Sequence, residues 1–213
     1  MAKTVIIIGK ARSGSSLTAG VLSHLGVHLG DTLKGANDAN ARGFFEDIYI
    51  LYFNIKALED NHFYINKLPL PDLNCLVPFK KEYREKAKEL IEKSKKDTVW
   101  GWKDPRTMWT FPLFSDFIKE PHFIVNYRNL DSIAKSLEFR DSLKIEEGLA
   151  LSKEYYELVE RFFEKYRYPR LNTHYEKYFT DEKESQINNI CQFLEIPYKI
   201  EALQIIDPTI KHF

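Results

Sequence analysis

Residues 5–25 read VIIIGKARSGSSLTAGVLSHL. The four consecutive apolar residues at 5–8, all β-branched, suit a strand buried on both faces. Residues 9–16, GKARSGSS, break that run with two glycines, and residues 17–25 resume an apolar pattern ended by Gly26. A strand, a glycine-bearing turn and a helix therefore meet here. Glycine lets successive backbone N–H groups converge on one point, and the helix N-terminus adds its partial positive charge, so the segment predicts an anion site. The competing reading is structural: Ser13 or Ser15 could simply cap the helix.

The spacing follows the nucleotide-binding pattern G-x-x-x-x-G-K-[ST] except at one position, where Ser15 replaces the lysine after Gly14. The cation of the loop is instead Arg12. A kinase or triphosphatase needs that lysine on the β- and γ-phosphates and a later strand ending in a magnesium-holding aspartate. Here the strand HFIVNY at 122–127 runs into Arg128. The loop is thus shaped for an anion other than a nucleoside triphosphate, with a small-molecule kinase and a non-catalytic nucleotide-binding module as the alternatives.

Composition narrows the rest. The chain has 213 residues, 44% of them hydrophobic, enough for one α/β domain over residues 1–213. With 31 basic and 31 acidic side chains the formal charge is zero, which speaks against a nucleic-acid partner. Cys75 and Cys191 stand apart without metal-ligand spacing, as suits unpaired thiols in a reducing compartment. No apolar run has the length of a membrane span, so a cytoplasmic location is expected.

Further along, residues 27–29 predict a short second strand, 30–43 a loop and 48–58 a helix. Residues 61–79, with Pro69, Pro71 and Pro78 among aromatic and polar residues, read as a lid, a substrate-facing loop or an ordinary surface excursion. Residues 80–96 form an amphipathic surface helix. Strands at 98–102 and 122–127 each lead toward a helix, the second at 130–137. Residues 152–166 carry an aromatic stripe at helical period, read as core. A strand at 170–173 and a helix marked by Ile187, Ile190, Cys191 and Leu194 complete the chain. Strands connected through helices run parallel, so the expected fold class is α/β, a P-loop-type domain with a central parallel sheet flanked by helices. Ligands of such sheets bind outside the carboxyl ends of the strands, where GKARSGSS, KDPR (103–106) and YRN (127–129) all fall.

Taken together, Arg12-Ser13-Gly14-Ser15-Ser16, and Arg128 with Ser136 after seven intervening residues, resemble the two phosphate motifs of sulfotransferases that use 3′-phosphoadenosine 5′-phosphosulfate (PAPS). KDPR is similar to an element of the tyrosylprotein and bacterial enzymes. HYEKYF (174–179), residues 190–197 and IDPTIKHF (206–213) extend the likeness over nearly the whole chain. The resemblance implies PAPS as co-substrate, PAP as product, no metal, and a small-molecule or peptide acceptor. It places Arg12, Ser13, Gly14, Ser15 and Ser16 on the 5′-phosphosulfate, Arg128 and Ser136 on the 3′-phosphate, and Lys103 on the sulfuryl or bridging oxygen.

The acceptor proton needs a base. Cytosolic members use a histidine in Lys-Thr-His, but Lys103-Asp104-Pro105 stands here, which points to a carboxylate. Glu46 in RGFFED (42–47) is preferred because Phe44 and Phe45 would desolvate it and raise its pKa. Asp31 and Asp104 are the alternatives, although Asp104-Pro105 also suits a helix start. His24 and His28 carry no metal reading, His174 and Tyr175 read as packing, and Lys211 and His212 could reach a nucleotide.

Overall fold

A computed structural model describes residues 3–36, 43–96, 98–207 and 209. Four strands, β1 (Thr4–Ile8), β2 (Trp100–Lys103), β3 (Pro121–Tyr127) and β4 (Arg170–His174), form one sheet in the order β2-β1-β3-β4. Every neighbouring pair is parallel. Around it lie α1 (Ser15–His24), α2 (Ile48–Glu59), α3 (Lys80–Ser94), α4 (Thr107–Phe114), α5 (Leu130–Asp141), α6 (Ile145–Tyr166) and α7 (Lys183–Leu194). The architecture is the α/β sheet with flanking helices that the alternation of strands and helices predicts.

Strand β1 is apolar throughout because each face meets a different core. Val5 and Ile7 pack with residues of α1 and α7, while Ile6 and Ile8 pack with α2, α4 and α6. All four are fully buried, each contributing roughly 1.5–3 kcal/mol of transfer free energy. Gly101 lets β2 approach β1, since a Cβ there would lie 1.7 Å from the Val5 carbonyl oxygen. On the second face Phe111 of α4 is the hub of an aromatic layer. It meets Phe123 at 5.2 Å and Phe162 at 5.9 Å, both edge to face, the arrangement ring quadrupoles favour. The stripe on α6 is core, as its period implies.

Residues 27–29 are a correction. They make a single parallel bridge, His28 to Trp100, and not a strand, because Gly30 at φ 131 turns the chain away beside Asp47. Helix α5 runs about one turn beyond the expected end at 137, which carries Arg140 onto the ligand edge. The segment 61–79 is neither free nor purely superficial. Leu70, Leu73 and Leu76 are buried, Glu154 accepts the Leu70 N–H at 2.8 Å, and Trp109 Nε1 donates to the Pro71 carbonyl at 2.8 Å.

Candidate active site

The turn after β1 closes with the Ser13 N–H on the Lys10 carbonyl at 2.9 Å. Arg12 and Gly14 adopt left-handed conformations, φ 73 and φ 84. Gly14 is the N-cap of α1, and no side chain caps that helix. The capping reading of Ser13 and Ser15 therefore falls, and the amides of Ser15 and Ser16 have no intrahelical carbonyl to bond, while that of Leu17 meets the Gly14 carbonyl at 2.9 Å. Gly14 is also required by contact: a Cβ there would lie 2.1 Å from the Tyr175 ring.

Asn126, at the carboxyl end of β3, braces this loop from behind. Its Nδ2 donates to the Ser13 carbonyl at 2.5 Å, and its Oδ1 accepts from Thr173 at 3.0 Å and from Thr18. Tyr178 in turn donates to Thr18 at 3.0 Å. All four side chains are fully buried, so the loop geometry is fixed by a hydrogen-bonded network.

In front of the loop lies a cleft of about 280 Å³. Its cations include Arg12, Lys103, Arg128 and Arg140. Arg12 Nε donates to Ser136 Oγ at 2.7 Å. An Nη of Arg128 donates to the Arg12 carbonyl at 3.0 Å, and the Arg128 guanidinium lies 4.3 Å above the Tyr175 ring. The structure thus brings Arg12, Arg128 and Ser136 together, across 124 residues of sequence between Arg12 and Ser136. Burial lowers the Arg12 pKa, with further lowering by Arg140 and Arg128; burial also lowers that of Arg128. A bound anion would relieve both effects.

Facing this cluster, Lys103 Nζ lies 2.7 Å from Glu46 Oε1, with both side chains buried. Phe44 and Phe45 line the cleft, and the Glu46 carboxylate is engaged by an ammonium group and does not stand in the purely apolar setting expected from those two rings. The alternative carboxylates lie elsewhere. Asp31 is exposed and paired with His28 at 3.0 Å and Lys96 at 3.1 Å. Asp104 is buried, accepting from Asn54 at 3.0 Å and from both the backbone and guanidinium of Arg106 at 2.8 Å. It forms an Asx turn ahead of α4, whose N-cap is Arg106 without a side-chain capping bond, so the expected pairing of Asp104 as N-cap with Pro105 at the first helical position is corrected.

Ser15 and Ser16 line the cleft, and the Ser13 and Ser136 side chains are fully buried behind it. Sequence reasoning misses Arg140, Asn126 and the position of Tyr175. Arg140 lies four residues after Ser136 on α5, a helical spacing that could flag it; Tyr175 reads from sequence as packing alone. Lys211 and His212 lie outside the described residues. Among the described residues no cluster of His, Cys, Asp or Glu is suited to a metal, and no helix is long and apolar enough to cross a membrane.

Solved structures share this fold. The sulfotransferase domain of the curacin biosynthetic pathway superposes with a TM-score of 0.58 at 12% identity, over 97% of this chain and 78% of that one. The sulfotransferase domain of the Synechococcus olefin synthase gives 0.54 at 13% identity, over 98% and 83%. The chain has a sulfotransferase-like fold. A sulfotransferase from Mycobacterium tuberculosis matches at 0.51 and 12% identity, over 98% and 72%. No family model matches the sequence, and no curated protein does.

Proposed function

We propose that the protein is a PAPS-dependent sulfotransferase acting on a hydroxyl or amine acceptor. The observation that carries this reading is the joint placement of Arg12, Arg128 and Ser136 beside the uncapped N-terminus of α1. A doubly phosphorylated nucleotide has anionic groups at two points, and the loop and Arg128 offer one cationic locus for each. The Gly14 cradle, which a Cβ would close against Tyr175, fits close approach by a phosphate.

PAPS supplies the sulfuryl group: the acceptor oxygen or nitrogen gains a bond to sulfur as the bridging S–O bond breaks, PAP departs with that oxygen, and the acceptor proton passes to a base. Arg12 and the amides of Gly14, Ser15 and Ser16 hold the 5′-phosphate end and stabilise charge on the leaving oxygen. Ser13 shapes the turn. Arg128 holds the 3′-phosphate, and Ser136 acts through Arg12 by fixing its guanidinium. Glu46 takes the acceptor proton, and Lys103 orients Glu46 and offsets negative charge on the sulfuryl oxygens. A metal is not required where backbone amides and several cations surround a sulfuryl group of low charge.

The direct test is release of PAP from PAPS on incubation with a library of phenols, alcohols and amines. Acceptor-dependent release that is lost in Arg12→Ala is the expected result. Absence of release by the unmodified protein with every acceptor, together with no binding of PAP, contradicts the proposal.

A further inference from the structure

A second cavity, of about 490 Å³, adjoins the cleft. Ala11, Pro105, Arg106 and Arg140 line both spaces, so a molecule in one reaches the wall of the other. Most of its lining is apolar, drawn from Ile55, Leu58, Phe63, Ile65, Leu143 and Leu151. Its size falls within the range of small-molecule sites, roughly 300–1,000 Å³. The segment 61–79 contributes Phe63, Tyr64 and Ile65 to its wall.

The charged groups of this cavity are not balanced locally. Arg140 is held by Asp141 through contacts of 2.6 and 2.5 Å, and Arg106 by Asp104 at 2.8 Å. Glu59 is solvent-exposed. Lys10 is only 6% exposed and lines the cavity; its ammonium makes no hydrogen bond or ion pair among the described residues, and the carboxylate whose charge reaches it, Asp141, is already engaged by Arg140. A largely buried cation whose nearby carboxylate is already paired is costly in an apolar setting unless a ligand pairs with it.

We infer that this cavity takes the acceptor, and that the acceptor is an apolar hydroxy compound bearing a carboxylate that pairs with Lys10. The apolar wall holds the body of the molecule, and the shared wall of Ala11, Pro105, Arg106 and Arg140 directs its hydroxyl toward the cleft. This assignment of the occupant as acceptor rests on the transferase reading; the preference for a carboxylate rests on the cavity alone.

The probes are 6-hydroxy-2-naphthoate and 2-naphthol, which share ring and hydroxyl and differ by the carboxylate. Their affinities are measured by calorimetry with and without saturating PAP, on the unmodified protein and on Lys10→Met and Lys10→Arg. The naphthoate should bind at least tenfold more tightly than the naphthol, with the preference lost in Lys10→Met and kept in Lys10→Arg. Equal affinities in the unmodified protein, no binding of the naphthoate, or a preference that survives Lys10→Met would overturn the inference. The PAP titration is independent of these outcomes: a carboxylate preference without PAP binding leaves the cavity assignment standing and removes the transferase reading.

Discussion

Glu46 and Lys103 form a buried ion pair, 2.7 Å between Oε1 and Nζ, across the cleft from Arg12. The pair joins the segment before α2 to the carboxyl end of β2, so the sheet edge and the 43–47 segment meet there. Glu46→Gln keeps a hydrogen-bond acceptor for Lys103 but cannot take the acceptor proton. General-base catalysis contributes about 10²–10⁴-fold, so kcat should fall by at least about a hundredfold while the Kd for PAP stays within about threefold. Steady-state kinetics with calorimetric titration of PAP checks this; an unchanged kcat moves the base to another group. Lys103→Met strands the carboxylate and should cost roughly 3–5 kcal/mol in denaturant unfolding.

Gly14 is constrained twice, by φ 84 and by the 2.1 Å that would separate a Cβ at this position from the Tyr175 ring. Gly14→Ala should destabilise the protein by more than about 1 kcal/mol, the cost of the left-handed backbone alone, and abolish PAP binding. Adding Tyr175→Ala removes the collision but not the backbone strain, so thermal unfolding should show partial recovery of Tm. Full stability in Gly14→Ala alone would contradict the loop geometry.

Lys10 also sets a pH dependence. Burial lowers its pKa to about 8, with Arg140 lowering and Asp141 raising it, from an ordinary 10.5. Below pH 8 both folded and unfolded chains hold the proton, and the folded state bears the full cost of the buried charge. Between about 8 and 10.5 the unfolded chain binds more protons at this site, so this group makes stability rise with pH. Lys10→Met removes the charge and should be more stable at pH 7 by up to about 3 kcal/mol, the difference shrinking toward pH 10.5. Urea unfolding of both proteins at pH 7, 9 and 10.5 measures it; a variant less stable at pH 7 would contradict the unpartnered state of Lys10.

What can be read from sequence is local. The run 5–8, the glycine turn and the helix that follows are contiguous, so their periodicity and turn chemistry suffice to predict β1, the loop and α1. Arg128 and Ser136 are legible because both lie on one strand-to-helix unit. Asn126 and Tyr175 are not, because their roles arise only when β3 and the segment after β4 are packed against the loop. Arg140 is hidden by an expected helix end at 137, before α5 finishes its last turn. Residues 27–29 mislead for the converse reason: their apolar character serves burial under α1, and the turn at Gly30 leaves a single bridge to β2.

The central claim is that the cleft reads a nucleotide by a 3′-phosphate as well as a 5′-phosphate group. The most direct measurement is a calorimetric comparison of PAP, 5′-ADP and ATP with magnesium, on the unmodified protein and on Arg128→Ala. PAP should bind at least tenfold more tightly than 5′-ADP, and Arg128→Ala should erase that difference by weakening PAP alone. Binding of ATP with magnesium and none of PAP would contradict the account and favour a kinase.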